Sequence, residues 1–99
     1  MIRTIIVDDE LMARETIAEM LSLYCKEVEV VAQADDVGSG VDAIRKYQPD
    51  LLLLDIQLIS GTGFDLLKKL NHYDFMVIFI TAFEDYAVKA FKFSALDYI

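Results

Sequence analysis

The sequence predicts an α/β fold: a doubly wound parallel five-stranded sheet whose final helix is missing from this chain. Three observations point there. Short apolar runs alternate with amphipathic stretches along all 99 residues. The runs lie too far apart for hairpins, which implies crossover helices and parallel strands. One run, LLLL at 51–54, sits between Pro49-Asp50 and the carboxylate of Asp55. A run this short and this uniformly apolar reads as a strand buried on both faces in the middle of a parallel sheet.

Taken in order, residues 2–7 (IRTIIV) form a β-rich run that ends in Asp8, Asp9 and Glu10. Ala13, Ile17, Met20, Leu21 and Tyr24 then recur at helical spacing, with Arg14, Glu15, Glu19, Ser22 and Lys26 opposite, and predict an amphipathic helix over about 10–25. Residues 28–34 (VEVVAQA) are a second strand, less uniformly apolar and so closer to an edge. The turn at 35–40 leads into a short helix carrying Val41, Ala43, Ile44 and Tyr47, which Pro49 stops. After the leucine strand, the loop Ser60-Gly61-Thr62-Gly63 precedes a third helix with Phe64, Leu66, Leu67 and Leu70. A fourth strand at 76–80 (MVIFI) ends at Thr81-Ala82, a helix is expected from Glu84 to about Phe93, and a fifth strand begins at Leu96. The pattern is (βα)₄β. The chain stops inside its last apolar run, so a closing helix is expected to be absent, leaving apolar surface and a sheet edge exposed.

Composition narrows the function classes. No apolar run approaches the ~18 residues needed to cross a bilayer, and Met1-Ile2-Arg3 leads straight into a strand with no signal-peptide pattern. The expectation is a soluble cytoplasmic protein with no membrane contact. The single cysteine, Cys25, precludes an intrachain disulfide. A net charge of −8 argues against this domain gripping a nucleic-acid backbone by itself.

The chemistry gathers at the strand ends. In open α/β sheets ligands bind just outside the carboxyl ends of the strands, where Asp8 and Asp9 follow the first strand, Asp55 the third and Thr81 the fourth. Each has a local explanation: the first two as helix caps, Asp55 as a loop acid, Thr81 as a strand-end hydroxyl, and Tyr98 as core. Their joint placement favours a site. Carboxylates brought together repel one another unless a cation intervenes, and a hard divalent ion such as Mg²⁺, which takes oxygen ligands, is the natural one. His72 stands alone in a polar turn and Cys25 is remote, so no soft-metal site or nucleophile–base pair is readable. The pair of glycines in GTG at 61–63 lacks the three-glycine dinucleotide fingerprint.

The segments IIVDDE at 5–10, LLLLDI at 51–56, Gly63, FITA at 79–82 and ALDYI at 95–99 together resemble the receiver domains of two-component response regulators. The run from Ile80 to Ile99 is most like the LytTR-type (LytR/AlgR) group, whose output domain binds DNA. The resemblance implies a receiver domain over residues 1–99 with the flavodoxin-like strand order 2-1-3-4-5 and no output domain in this chain. It implies that Asp55 accepts a phosphoryl group from a phosphohistidine on a sensor histidine kinase. Mg²⁺ is implied as cofactor, with Asp9 and Asp55 as ligands, Asp8 acting through water, and the backbone carbonyl of Gln57 contributing. Thr81 would bond the phosphoryl oxygens, Ala82 would be the small residue beside it, and Tyr98 the switch aromatic. Such a domain is no enzyme beyond self-phosphotransfer and autodephosphorylation. Its further partners would be a second copy, through the fourth-helix and fifth-strand face or the truncation-exposed surface, and DNA only through the absent output domain.

Two features depart from the pattern. Ile59 stands where the family has proline four residues past the acceptor, and the Lys-Pro lysine would fall beyond Ile99, with Lys89 and Lys92 in the fourth helix. The alternative readings are a Mg²⁺-dependent aspartyl-phosphate phosphohydrolase, against which Gln57 counts because such enzymes place a second acid there, and a receiver-like interaction module that never takes phosphate. A flavin-binding module is the weakest alternative, since no phosphate-cradling loop follows the first strand.

Overall fold

The computed structural model describes residues 1–80 and the strand Asp97–Tyr98. The expected helix over about 84–93, together with Thr81, Ala82 and the side chain of Tyr98, lies outside the described residues. In chain order the elements are β1 (Ile2–Val7), α1 (Leu11–Tyr24), β2 (Val28–Ala34), α2 (Val37–Tyr47), β3 (Leu51–Asp55), β4 (Gln57–Leu58), β5 (Gly61–Thr62), α3 (Gly63–Leu70), β6 (Met76–Ile80) and β7 (Asp97–Tyr98).

The strands β2, β1, β3 and β6 lie side by side in that order, all parallel, and β7 pairs alongside β6 with Ile78 opposite Asp97 and Phe79 opposite Tyr98. Register decides the layers. Ile5, Leu52 and Val77 align across the sheet, as do Val7, Leu54 and Phe79. Successive side chains on a strand point to opposite faces, so these six share one face. There they form the core with Val37, Val41 and Ile44 of α2 and Phe64, Leu66 and Leu67 of α3. Ile6, Leu53 and Ile78 align on the other face, over which α1 runs. The leucine run is buried on both sides as its composition predicts: Leu52, Leu53 and Leu54 are 0%, 5% and 0% exposed. β2, read as closer to an edge, flanks the sheet.

Local chemistry sets the helix ends. Asp36 caps α2: its carboxylate accepts from the Ser39 backbone N–H at 2.7 Å while the Ser39 hydroxyl serves the Asp36 N–H, a reciprocal box. Thr62 and Asp65 do the same for α3. α2 ends at Tyr47, Gln48 takes a left-handed conformation with φ 47°, and Pro49 prevents continuation.

Two expectations are corrected. The segment after Asp55 is not a plain glycine loop but a short antiparallel pairing, Gln57 with Thr62 and Leu58 with Gly61. α1 spans 11–24, and its apolar stripe is turned from the expected one. Met20 and Tyr24 are 54% and 78% exposed, no residue of α1 is buried, and the half-buried positions are Ala13, Arg14, Ile17, Ala18 and Leu21. Hydrophobic spacing places Arg14 on the solvent side because it does not register the hydrogen bonds that draw its guanidinium inward.

A carboxylate cluster as the candidate functional site

Parallel neighbours end on the same edge of the sheet, so the residues after β1 and at the end of β3 meet. One carboxylate oxygen from each of Asp8, Asp9 and Asp55 lies within 4.8 Å of the others. The structure thus brings together three of the residues singled out from the sequence.

Asp8 is the best anchored. Its backbone N–H donates to the Ala34 carbonyl at 3.1 Å, its carbonyl accepts from Arg14 Nη1 at 2.7 Å, and its Oδ1 accepts from the Glu10 N–H at 2.9 Å. Neither Asp8 nor Asp9 is the cap of α1. That position is Glu10, which makes no side-chain capping bond, so the local explanation for the acidic pair does not hold. Asp55 is half-buried at the end of β3, and the backbone N–H groups of Gln57 and Ile56 donate to its carboxylate. Gln57 therefore sits beside the cluster through its backbone.

The turn that carries Asp55 is packed too closely for side chains. A Cβ on Gly63 would stand 2.7 Å from the Asp55 carbonyl and 2.9 Å from Leu54 Cγ, so glycine is required for α3 to start against β3. The Gly63 N–H donates to the Ile56 carbonyl at 2.8 Å. Ser60 Oγ accepts from the Val37 N–H at 3.1 Å and ties the same turn to the start of α2. Ile59, in the turn between β4 and β5, is 77% exposed.

Electrostatics record the crowding. Burial, and then the charge of Asp8 with a smaller contribution from Asp9, pushes the Asp55 carboxyl up to about 6, against the lowering effect of its two backbone donors. Asp8 is raised as well, first by burial and then by Asp9 and Glu10, with the Glu10 N–H opposing. Among the described residues, no basic side chain offsets this crowding at either acid. Oxygens around Mg²⁺ at about 2.0–2.1 Å sit about 3 Å apart when adjacent and about 4 Å apart when opposite, and the three carboxylate oxygens here lie within 4.8 Å of one another. The donor set, all hard oxygens, suits that ion. By contrast, the open cleft at the far end of the sheet, between Arg45, Asp50, His72 and Tyr73, brings together no such set.

A model of the response regulator receiver domain matches residues 4–99. The chain belongs to that family. This receiver domain is 41% identical over 102 residues to the sensory transduction protein LytT of Bacillus subtilis (strain 168), covering 100% of this chain and 42% of that one. It is 38% identical over 101 residues to the transcriptional regulatory protein BtsR of Escherichia coli (strain K12), covering 100% and 41%. The chain therefore spans less than half the length of these relatives. Among solved structures it is similar to a DNA-binding response regulator of the LuxR family from Staphylococcus aureus, with TM-score 0.90 and 26% identity over 100% of this chain and 85% of that one. The response regulatory domain of protein mrkE from Klebsiella pneumoniae gives TM-score 0.87 and 29% identity over 98% and 80%. The fold is accordingly the flavodoxin-like receiver fold. Among the described residues, no helix is long and apolar enough to cross a membrane.

The sequence reading missed the Arg14 bond to the Asp8 carbonyl and the closeness of Gly63 to Asp55. A glycine opening a helix straight after a strand-end acid is a readable signal for the second. The first leaves no signal in the sequence.

Proposed function

We propose that this receiver domain is a phospho-acceptor switch in which Asp55 takes a phosphoryl group from a phosphohistidine on a sensor histidine kinase. The observation that carries the reading is the meeting of the Asp8, Asp9 and Asp55 carboxylates within 4.8 Å at the strand ends of a chain whose family is the response regulator receivers. An Asp55 carboxylate oxygen attacks phosphorus, the phosphorus–nitrogen bond breaks, and its electron pair stays with the imidazole, which leaves as the neutral ring once protonated.

Asp9 and Asp55 would hold Mg²⁺ directly, Asp8 through water, and the Gln57 carbonyl would complete the protein's share. When bound, the ion neutralises charge on the transferring phosphoryl oxygens. The chain's own part is positional. The Gln57 and Ile56 N–H groups orient the Asp55 carboxylate, and the hydrogen bonds of Asp8 fix the acidic turn. In this proposal Thr81 receives the phosphoryl oxygens, Ala82 leaves room beside it, and Tyr98 follows the movement of Thr81, carrying the change to the outer strand of a complete five-stranded 2-1-3-4-5 sheet. The protein would work in the cytoplasm and act on transcription through a DNA-binding output domain, in line with the transcriptional regulatory protein BtsR among its relatives. Gln57, where a phosphohydrolase would have its second acid, supports slow autodephosphorylation over turnover.

Incubation with acetyl phosphate and Mg²⁺, followed by intact-mass and peptide mapping, tests the reading. A single phosphoryl adduct on Asp55 is expected, and the same yield in Asp55→Asn would overturn it.

A further inference from the structure

Arg14, the single basic residue of α1, is half-buried, and its guanidinium reaches two different elements. Nη1 donates to the Asp8 carbonyl at 2.7 Å, and Nε donates to Gln33 Oε1 at 3.3 Å. Register explains the second contact: Gln33 pairs with Ile6 and so lies on the face that α1 covers. One planar cation thus links the helix after the acidic turn, the turn itself and the edge strand. The other fixed points of Asp8, its N–H on Ala34 and its Oδ1 on Glu10, leave only the carbonyl to set the tilt of the Asp8–Asp9 peptide. That peptide leads directly into Asp9, so its orientation bears on where the Asp9 carboxylate sits.

We propose that Arg14 is a positioning residue of the cation site: its bond to the Asp8 carbonyl holds the acidic turn so that Asp9 and Asp55 converge. The proposal rests on the Mg²⁺ reading above. Arg14 touches neither carboxylate in the described contacts and acts through the backbone. Partners that orient a metal ligand typically govern about 10–100-fold in metal affinity.

The test is Mg²⁺ titration of the full chain by calorimetry, with metal-free thermal unfolding measured in parallel. Arg14→Met is expected to bind Mg²⁺ about tenfold more weakly. Arg14→Lys, which restores a cationic donor for the one carbonyl, should recover most of that loss while unfolding at the same temperature as Arg14→Met. Equal affinity in Arg14→Met and the parent overturns the proposal, as does a loss that Arg14→Lys does not recover, since that would mark packing and not the bond. If Arg14→Met does not fold, Arg14→Gln, which keeps a polar side chain but is shorter and carries no charge, takes its place. A weakening is then expected, and unchanged affinity overturns the proposal. A parent chain that binds no Mg²⁺ removes the functional reading and this one together, whereas a binding parent with an indifferent Arg14 removes only this one.

Discussion

Replacing Asp55 with asparagine should make the metal-free protein more stable, although it removes the group on which function is proposed to depend. The carboxyl of Asp55 rises from the ordinary 3.8 to about 6 in the folded chain, mainly through burial and then through Asp8. A raised carboxyl is protonated more readily folded than unfolded. Its ionisation therefore subtracts stability as pH climbs from about 4 through 6, and the full cost is present above that. Two pH units correspond to about 3 kcal/mol at most, and the half-exposed setting of Asp55 screens this to roughly 1–2 kcal/mol. Asparagine keeps an acceptor for the Gln57 and Ile56 N–H groups and never ionises. At pH 8 in chelator, Asp55→Asn should gain about 1–2 kcal/mol in urea unfolding followed by circular dichroism, or about 5–10 °C in melting temperature for a chain of this size. The gain should vanish near pH 4, and saturating Mg²⁺ should shrink or reverse it, because the parent binds the ion better. Equal stability at pH 8 without metal, or a difference indifferent to pH, would refute the reasoning that like charge is stored at the strand ends.

Asp9→Asn should weaken Mg²⁺ binding by about tenfold or more in calorimetric titration, since a ligand and a charge are both lost. Gly63→Ala should cost about 1–3 kcal/mol in urea unfolding, because its new methyl group meets the Asp55 carbonyl at 2.7 Å, and it should slow phosphorylation by acetyl phosphate by displacing that residue. Thr62→Ala removes the cap of α3 and should cost about 1 kcal/mol without changing Mg²⁺ affinity.

The parts of the fold legible in the sequence were those written in periodicity. LLLL at 51–54 announces a central strand because a strand buried on both faces has no polar alternation to show. The register of β1, β3 and β6 carries the acids to one edge whatever the loops do, so the gathering of Asp8, Asp9 and Asp55 is legible in the sequence. The facing of α1 was not legible. Met20 and Tyr24 have the spacing of a buried stripe and are exposed, while Arg14 turns inward to acceptors, the Asp8 carbonyl and Gln33, that no hydropathy pattern encodes. The pairing of β4 with β5 was missed for a related reason: two strands of two residues each are too short to show alternation.

The fate of Asp55 when the chain meets a phosphodonor decides whether the carboxylate cluster is an acceptor site. With acetyl phosphate and Mg²⁺, the parent should gain the mass of one phosphoryl group, labile to hydroxylamine as an acyl phosphate is, and mapped to the peptide containing Asp55. Chelation of the metal or Asp55→Asn should abolish it. A parent that stays unmodified, or an adduct that persists in Asp55→Asn, would contradict the claim that the three carboxylates form a phosphoryl-accepting site.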